Sequence, residues 1–295
     1  MDIKAQTAAR VAQIEEVISK YLPKEEGLQK TVISAMNYSI QAGGKRLRPM
    51  LMWETYRMFG GRSEVIEPFM AAVEMVHTYS LVHDDLPAMD NDAYRRGKKT
   101  THAQFGEAMG ILAGDGLLNY AFETAVKAFE IEPGNANIGK ALKALAHKSG
   151  VYGMLGGQCV DVECEGKPME EETLCAMYGW KTGALLEASM KIGAILAGAT
   201  KSEQRCVEQA AGELGLAFQI QDDILDVTGA EEVLGKPVGS DARNHKTTYV
   251  TLAGLDRARQ EVERLSRHSV GLLESLVVRN EFLTSLMLEL IQRDR

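Results

Sequence analysis

Apolar residues recur every three or four positions along most of the chain, in runs separated by glycine and proline. Residues 5–22 place Ala8, Val11, Ile14, Val17, Ile18 and Leu22 at helical spacing, and Pro23 ends the run. The same spacing predicts helices over 27–41, 48–59, 65–86, 102–132, 137–164, 170–199, 202–227 and 247–293. The stretch 65–86 is apolar on nearly every side, which places it centrally in the fold. No run alternates convincingly as a strand, and no linker, repeat or low-complexity segment divides the chain. The expected architecture is a single all-α domain over 1–295, a bundle of about ten helices.

Composition agrees. Aromatic residues are few and only seven prolines occur, a bias toward helix, while 45% hydrophobic content is enough for a sizeable core. A net charge of −8 argues against general nucleic-acid binding. Cys159, Cys164, Cys175 and Cys206 lack paired zinc spacing and read as reduced thiols. The amphipathic N-terminus is not a signal peptide, and no apolar run reaches membrane-spanning length. A cytoplasmic location without a membrane anchor is expected.

Charge changes the picture at His83–Lys98, HDDLPAMDNDAYRRGK, with four aspartates between 84 and 92 followed by Arg95, Arg96 and Lys98. Clustered carboxylates repel unless a cation intervenes, and oxygen-only donors suit magnesium, manganese or calcium. The adjoining bases suit a phosphate group, so the segment reads as a site for a metal-bound phosphate ester, with a solvated mixed-charge helix end as the alternative. On a straight helix, Asp84 and Asp90 would point about 120° apart. Pro87 is therefore expected to break the helix near 86–88 and let Asp90 swing back.

Three further segments carry candidate chemistry. Lys45, Arg46 and Arg48 crowd between Gly43-Gly44 and Pro49, either an anion pocket on a tight loop or a plain helix connection. Lys181-Thr182-Gly183 inside a helix suggests a local irregularity that presents polar groups inward. Asp222 and Asp226, spaced i and i+4, lie about 40° apart on one helix face, with Asp223 flanking. Beyond them a long glycine-rich loop, 228–245, leads to Lys246 and carries Lys236. His77 lies two turns before Asp84 on nearly the same face.

Taken together, GGKRLRP (43–49), DDLPAMD (84–90), RRGK (95–98), GQ at 157–158 with Asp161, KTG (181–183), FQIQDDILD (218–226) and GKPVGSD with Lys246-Thr247 resemble, in order, the signatures of the trans-isoprenyl diphosphate synthases. The nearest branch is that of the bacterial farnesyl diphosphate synthases. Asn91, Tyr94 and Lys99 depart from the usual pattern without removing an expected ligand. The resemblance implies helices around a central cavity, a homodimer, and isopentenyl, dimethylallyl and geranyl diphosphates as substrates. It implies Mg2+, with Mn2+ possible, held by Asp84, Asp85, Asp90 and Asp222 with help from Asp223 and Asp226. Arg95, Lys181, Lys236 and Lys246 would contact the allylic diphosphate. Lys45, Arg48, His77 and Arg96 would hold the homoallylic one, while Thr182 and Gln219 face the carbocation. Helix geometry then puts Ser80 and Tyr79 about 6 and 7.5 Å below Asp84, so that the bulkier Tyr79 forms a floor suited to a fifteen-carbon product. A geranylgeranyl diphosphate synthase, differing in that floor, and a terpene cyclase, needing one diphosphate site, are the enzymatic alternatives. An acidic helical scaffold is the non-enzymatic one.

Overall fold

The computed structural model describes residues 3–228 and 247–291. Its elements are α1 (Ile3–Lys20), α2 (Lys30–Ile40), α3 (Leu47–Met58), α4 (Glu67–Asp84), a hairpin β1 (Tyr94–Arg95) and β2 (Lys98–Lys99), α5 (Thr101–Phe105) and α6 (Glu107–Val126). There follow α7 (Ala128–Ile131), α8 (Asn137–Ser149), α9 (Met154–Glu163), α10 (Glu171–Tyr178), a π-helical segment Gly179–Gly183, α11 (Ala184–Leu196) and α12 (Lys201–Thr228). After the undescribed stretch come α13 (Tyr249–Ala253), α14 (Leu255–Glu274) and α15 (Glu281–Ile291). The fold is all-α apart from the two-residue strands of the hairpin, which the periodicity did not reveal.

Glycine explains why three expected helices are divided. Gly106 (φ 89°) separates α5 from α6, and Gly254 (φ 81°) separates α13 from α14, each in a conformation that continues no right-handed helix. Gly153 divides α8 from α9, where an added Cβ would overlap the Lys148 carbonyl.

The described residues form two compact units: those up to Trp53 with Arg62–Leu142, and Glu54–Gly61 with those from Lys143 onward. In the first, α4 packs along α6. Phe69, Met70, Ala71, Ala72, Val73, Met75 and Val76 of α4 are essentially solvent-free, which confirms it as a core helix. Gly110, Ala113 and Gly114 on α6 are small enough for close approach. In the second unit, α12 packs against α11 and α14. Gly215 of α12 lies so close to the π segment that a Cβ there would come 2.6 Å from Gly183 Cα.

Arg46 shows how the first unit is tied together. The sequence groups it with Lys45 and Arg48 as a cation for an anion pocket, yet it is 2% exposed and turned into the core. Its Nε donates to Glu15 Oε1 of α1 (2.7 Å), Nη1 to Glu74 Oε1 of α4 (2.7 Å) and Nη2 to the Ile40 carbonyl ending α2 (2.6 Å). A planar guanidinium can serve three separate acceptors in this way, whereas a lysine cannot. Removing one partner of such a network strands buried charge, so Arg46→Ala should cost about 3–5 kcal/mol of stability in urea unfolding. Arg46→Lys should recover only part of this; a loss near zero in Arg46→Ala would contradict the assignment.

Candidate active site

The acidic segment begins where α4 stops. Asp84 is the last helical residue and Asp85 the cap, so the break falls just before the expected 86–88. The chain then coils tightly: Met89 and Asn91 N–H groups donate to the Leu86 carbonyl, and Asp90 N–H donates to the Asp84 carbonyl at 2.8 Å. Pro87 and a left-handed Asn91 (φ 53°) shape this return, which brings Asp90 back beside Asp84 as the spacing required. Asp84 is half-buried and Asp90 exposed, while Asp85 is 4% exposed.

The hairpin supplies the countercharge. Arg96 (φ 53°) and Gly97 (φ 75°) form its two-residue turn, so the neighbouring arginines leave in different directions. Arg95 grips the Asp85 carboxylate, Nε donating at 2.8 Å and Nη2 lying 2.7 Å from Oδ1. Burial raises the Asp85 pKa and the Arg95 guanidinium partly offsets this. Arg96 reaches back to donate to the Gly43 carbonyl, and its guanidinium fills the space beside Gly44, where a Cβ would come within 2.7 Å of it.

Arg48 and His77 lie in the same electrostatic neighbourhood. Burial brings the Arg48 pKa down to about 10; Glu74 opposes that shift and Arg96 adds to it. Arg48 Nε is buried and has no hydrogen-bond partner. His77 is pushed well below the usual imidazole value, first by burial and then by Arg48, Arg96, Arg46 and Arg95. Several bases thus share Glu74, a carboxylate already bonded to Arg46. Such a local surplus of positive charge, half-buried at Arg48 and exposed at Arg96, is what an anion would neutralise. Lys45, on the same loop, is exposed.

One turn below Asp84, Tyr79 is buried, and burial together with the Asp84 charge pushes its phenol up to about 12. Its ring meets the His83 ring edge-on at 5.9 Å between centroids. The His83 ring occupies the space that a Gly114 side chain would need, with Nε2 3.1 Å from the Ile111 carbonyl. Ser80 is turned aside, its hydroxyl donating to the His77 carbonyl at 2.9 Å.

In the second unit, the irregularity predicted at Lys181–Gly183 is the π segment. Its extra residue per turn redirects side chains: Lys181 Nζ lies 2.5 Å from Asp161 Oδ2, and Thr182 Oγ1 donates to Gln219 Oε1 at 3.0 Å. That bond commits the Thr182 proton and leaves its oxygen lone pairs as the exposed dipole end. Gly157 on α9 admits the Lys181 backbone, where any side chain would collide. Asp222 is half-buried and Asp226 buried, in the last turns of α12. Asp223 is 4% exposed, and its Oδ2 accepts from Tyr178 Oη and Tyr249 N–H, each at 2.8 Å.

Spacing did not reveal the pairings that Asp161, Tyr178, His83 and Gly114 make, although His83 is four residues from Tyr79 and Asp161 stands among the family-signature positions. Lys236, Lys246 and most of the 228–245 loop lie outside the described residues. Among the described residues no three acidic, histidine or cysteine side chains form a metal-holding group by themselves. The donors near each motif are nevertheless all carboxylate oxygens, which fits a hard ion completed by phosphate oxygens, as magnesium commonly is.

A family model described as polyprenyl synthetase matches residues 29–274. The chain is 47% identical over 261 residues to the farnesyl diphosphate synthase of Geobacillus stearothermophilus, covering 86% of this chain and 87% of that one. It is 40% identical over 299 residues to the farnesyl diphosphate synthase of Escherichia coli (strain K12), with 100% of each chain covered. A geranylgeranyl diphosphate synthase of Cyanophora paradoxa is 43% identical over 253 residues, covering 85% and 83%. Among solved structures, geranyltransferase from Helicobacter pylori complexed with magnesium and isoprenyl diphosphate superposes with a TM-score of 0.83 at 30% identity, over 99% of this chain and 97% of that one.

The depressed His77 pKa has a defined sign. Below its ordinary value of 6.5 the unfolded chain takes up a proton that the folded chain refuses, so stability is present above that pH and lost as pH falls. Over the first pH unit below 6.5, wild-type protein should lose about 1 kcal/mol more stability than His77→Gln in urea unfolding. Equal losses would contradict the environment assigned to this histidine.

Proposed function

This chain belongs to the polyprenyl synthetase family, and from that premise we propose that it condenses isopentenyl diphosphate with dimethylallyl and geranyl diphosphates to give farnesyl diphosphate. The observation that carries the reading is the separation of charge within the first unit. Carboxylates Asp84, Asp85 and Asp90 gather beyond the end of α4, while the half-buried Arg48 and the exposed Arg96 bring their charges to a half-buried His77. One set suits a diphosphate that arrives with metal, the other a diphosphate that arrives without it. A cyclase needs only the first.

Asp84, Asp85, Asp90 and Asp222, with Asp226, are the residues that would hold divalent metal, magnesium or manganese. Such metal supplies, when bound, Lewis-acid neutralisation of the departing pyrophosphate. Asp85 also aims Arg95, through their paired contacts, at the same leaving group. Lys181, steadied by Asp161, and the lysines at 236 and 246 add positive charge as the allylic carbon–oxygen bond breaks. The Thr182–Gln219 pair presents oxygen dipoles to the allylic cation. Lys45, Arg48, His77 and Arg96 hold the homoallylic diphosphate so that its double bond attacks that cation. The departing pyrophosphate takes the proton lost in the final step.

The growing chain runs down α4 and stops on Tyr79, whose ring is braced by His83. A floor one turn below the acids favours fifteen carbons over twenty. The two compact units serve this chemistry as one catalytic domain, a reading supported by a family match that runs unbroken across both. The working form is a cytoplasmic homodimer without a nucleic-acid partner; no described helix is long and apolar enough to cross a membrane.

Incubation with geranyl and isopentenyl diphosphates should release pyrophosphate only when divalent metal is present and yield a fifteen-carbon diphosphate. Asp84→Asn or Asp222→Asn should each lower kcat by about 10²–10³-fold. Metal-independent turnover, or no turnover in the wild type, would overturn the reading. Tyr79→Ala should shift the product toward twenty carbons or more, and an unchanged product spectrum would remove Tyr79 as the floor.

A further inference from the structure

Asp223 sits inside the second acidic motif, but its surroundings differ from those of its neighbour. Asp222 is half-buried, whereas Asp223 is turned about 100° around α12 and is 4% exposed. Two donors meet on one of its atoms: Oδ2 accepts from the Tyr178 hydroxyl and from the Tyr249 backbone N–H, each at 2.8 Å. Hydrogen bonds to an ionised oxygen are among the stronger ones available to a protein. The two donors are placed informatively. Tyr178 is the last residue of α10 before the π segment that carries Lys181 and Thr182. Tyr249 is the first residue of α13, behind a Thr248–Thr251 capping box.

The far end of Tyr249 closes the arrangement. Its hydroxyl lies 3.3 Å from Glu171 Oε1 in the first turn of α10, and Arg257 of α14 holds the same oxygen at 2.7 Å. Asp223 thus fastens α10 and α13 to α12, and Glu171 fastens α10 to α13 and α14 at a second point.

We propose that Asp223 is a positioning residue rather than a metal ligand: its carboxylate latches α10 and α13 to α12, and so holds Lys181 and Thr182 in register with Asp222 and Gln219. What the latch serves rests on the prenyl-transfer reading; the latch itself does not.

Because both bonds meet at a single oxygen, an asparagine can present its carbonyl there and keep them while losing the charge that a metal would need. The test compares Asp223→Asn, Asp223→Ala, Tyr178→Phe and Asp222→Asn by thermal unfolding in EDTA and by the Mg2+ concentration that gives half-maximal prenyl transfer. Asp223→Asn should lower the metal-free Tm by about 2–4 °C at most and leave the Mg2+ requirement within about twofold of wild type. Asp223→Ala should lower that Tm at least twice as far, or fail to fold. Tyr178→Phe should lower Tm and kcat with no change in Mg2+ requirement. Asp222→Asn should do the reverse, melting normally and needing at least tenfold more Mg2+. The proposal is overturned if Asp223→Asn melts normally yet needs tenfold more Mg2+, or if Asp223→Ala melts like the wild type. Should the wild type transfer no prenyl group, the functional reading falls, while the metal-free melting series still decides the latch.

Discussion

Carboxylates at the C-terminal ends of helices are the constraint on which the rest depends. A helix C-terminus already carries partial negative charge, and acids there are opposed both by that dipole and by one another. The chain does this twice, with Asp84 and Asp85 ending α4 and Asp222, Asp223 and Asp226 in the closing turns of α12, where the last turn holds no basic residue. Each acid needs an answer. Arg95 answers Asp85, and two tyrosines answer Asp223. The proposed function answers Asp84, Asp90 and Asp222 with divalent metal bound to a diphosphate.

Basic residues follow the complementary logic. Arg46 is fully engaged inside the first unit and holds the Gly43–Pro49 loop, while Arg48 and Arg96 are left crowded around His77. Arg46 thus plays a structural part within a basic motif, and its bond to Glu74 engages the carboxylate that also acts on Arg48 and Arg96. The contact of Tyr79 with His83, seated against Gly114, applies the same economy to shape: a missing side chain on α6 makes room for the ring that packs on Tyr79.

Much of this was legible in the sequence where the rule is local. Pro87 announced the end of α4, the i, i+4 spacing put Asp222 and Asp226 on one face, and Lys181-Thr182-Gly183 marked the π segment. Glycine-divided helices were harder, because apolar periodicity persists across Gly106, Gly153 and Gly254 while only the backbone angle changes. Long-range pairs were not legible at all. Glu15 lies 31 residues from Arg46, and Tyr178 lies 45 from Asp223, so nothing in their spacing distinguishes a buried partner from a solvated charge. Arg46 was accordingly grouped with its neighbours Lys45 and Arg48, and Asp223 with Asp222, because each sits within a site motif.

The central claim is that the two acidic motifs act on one diphosphate through shared metal. Calorimetric titration of pyrophosphate in the presence of Mg2+ tests it directly, using wild type, Asp84→Asn, Asp222→Asn and the double variant. If the motifs form one site, either single substitution removes most of the affinity and the second adds little. Losses that simply multiply would show two independent sites and contradict the account.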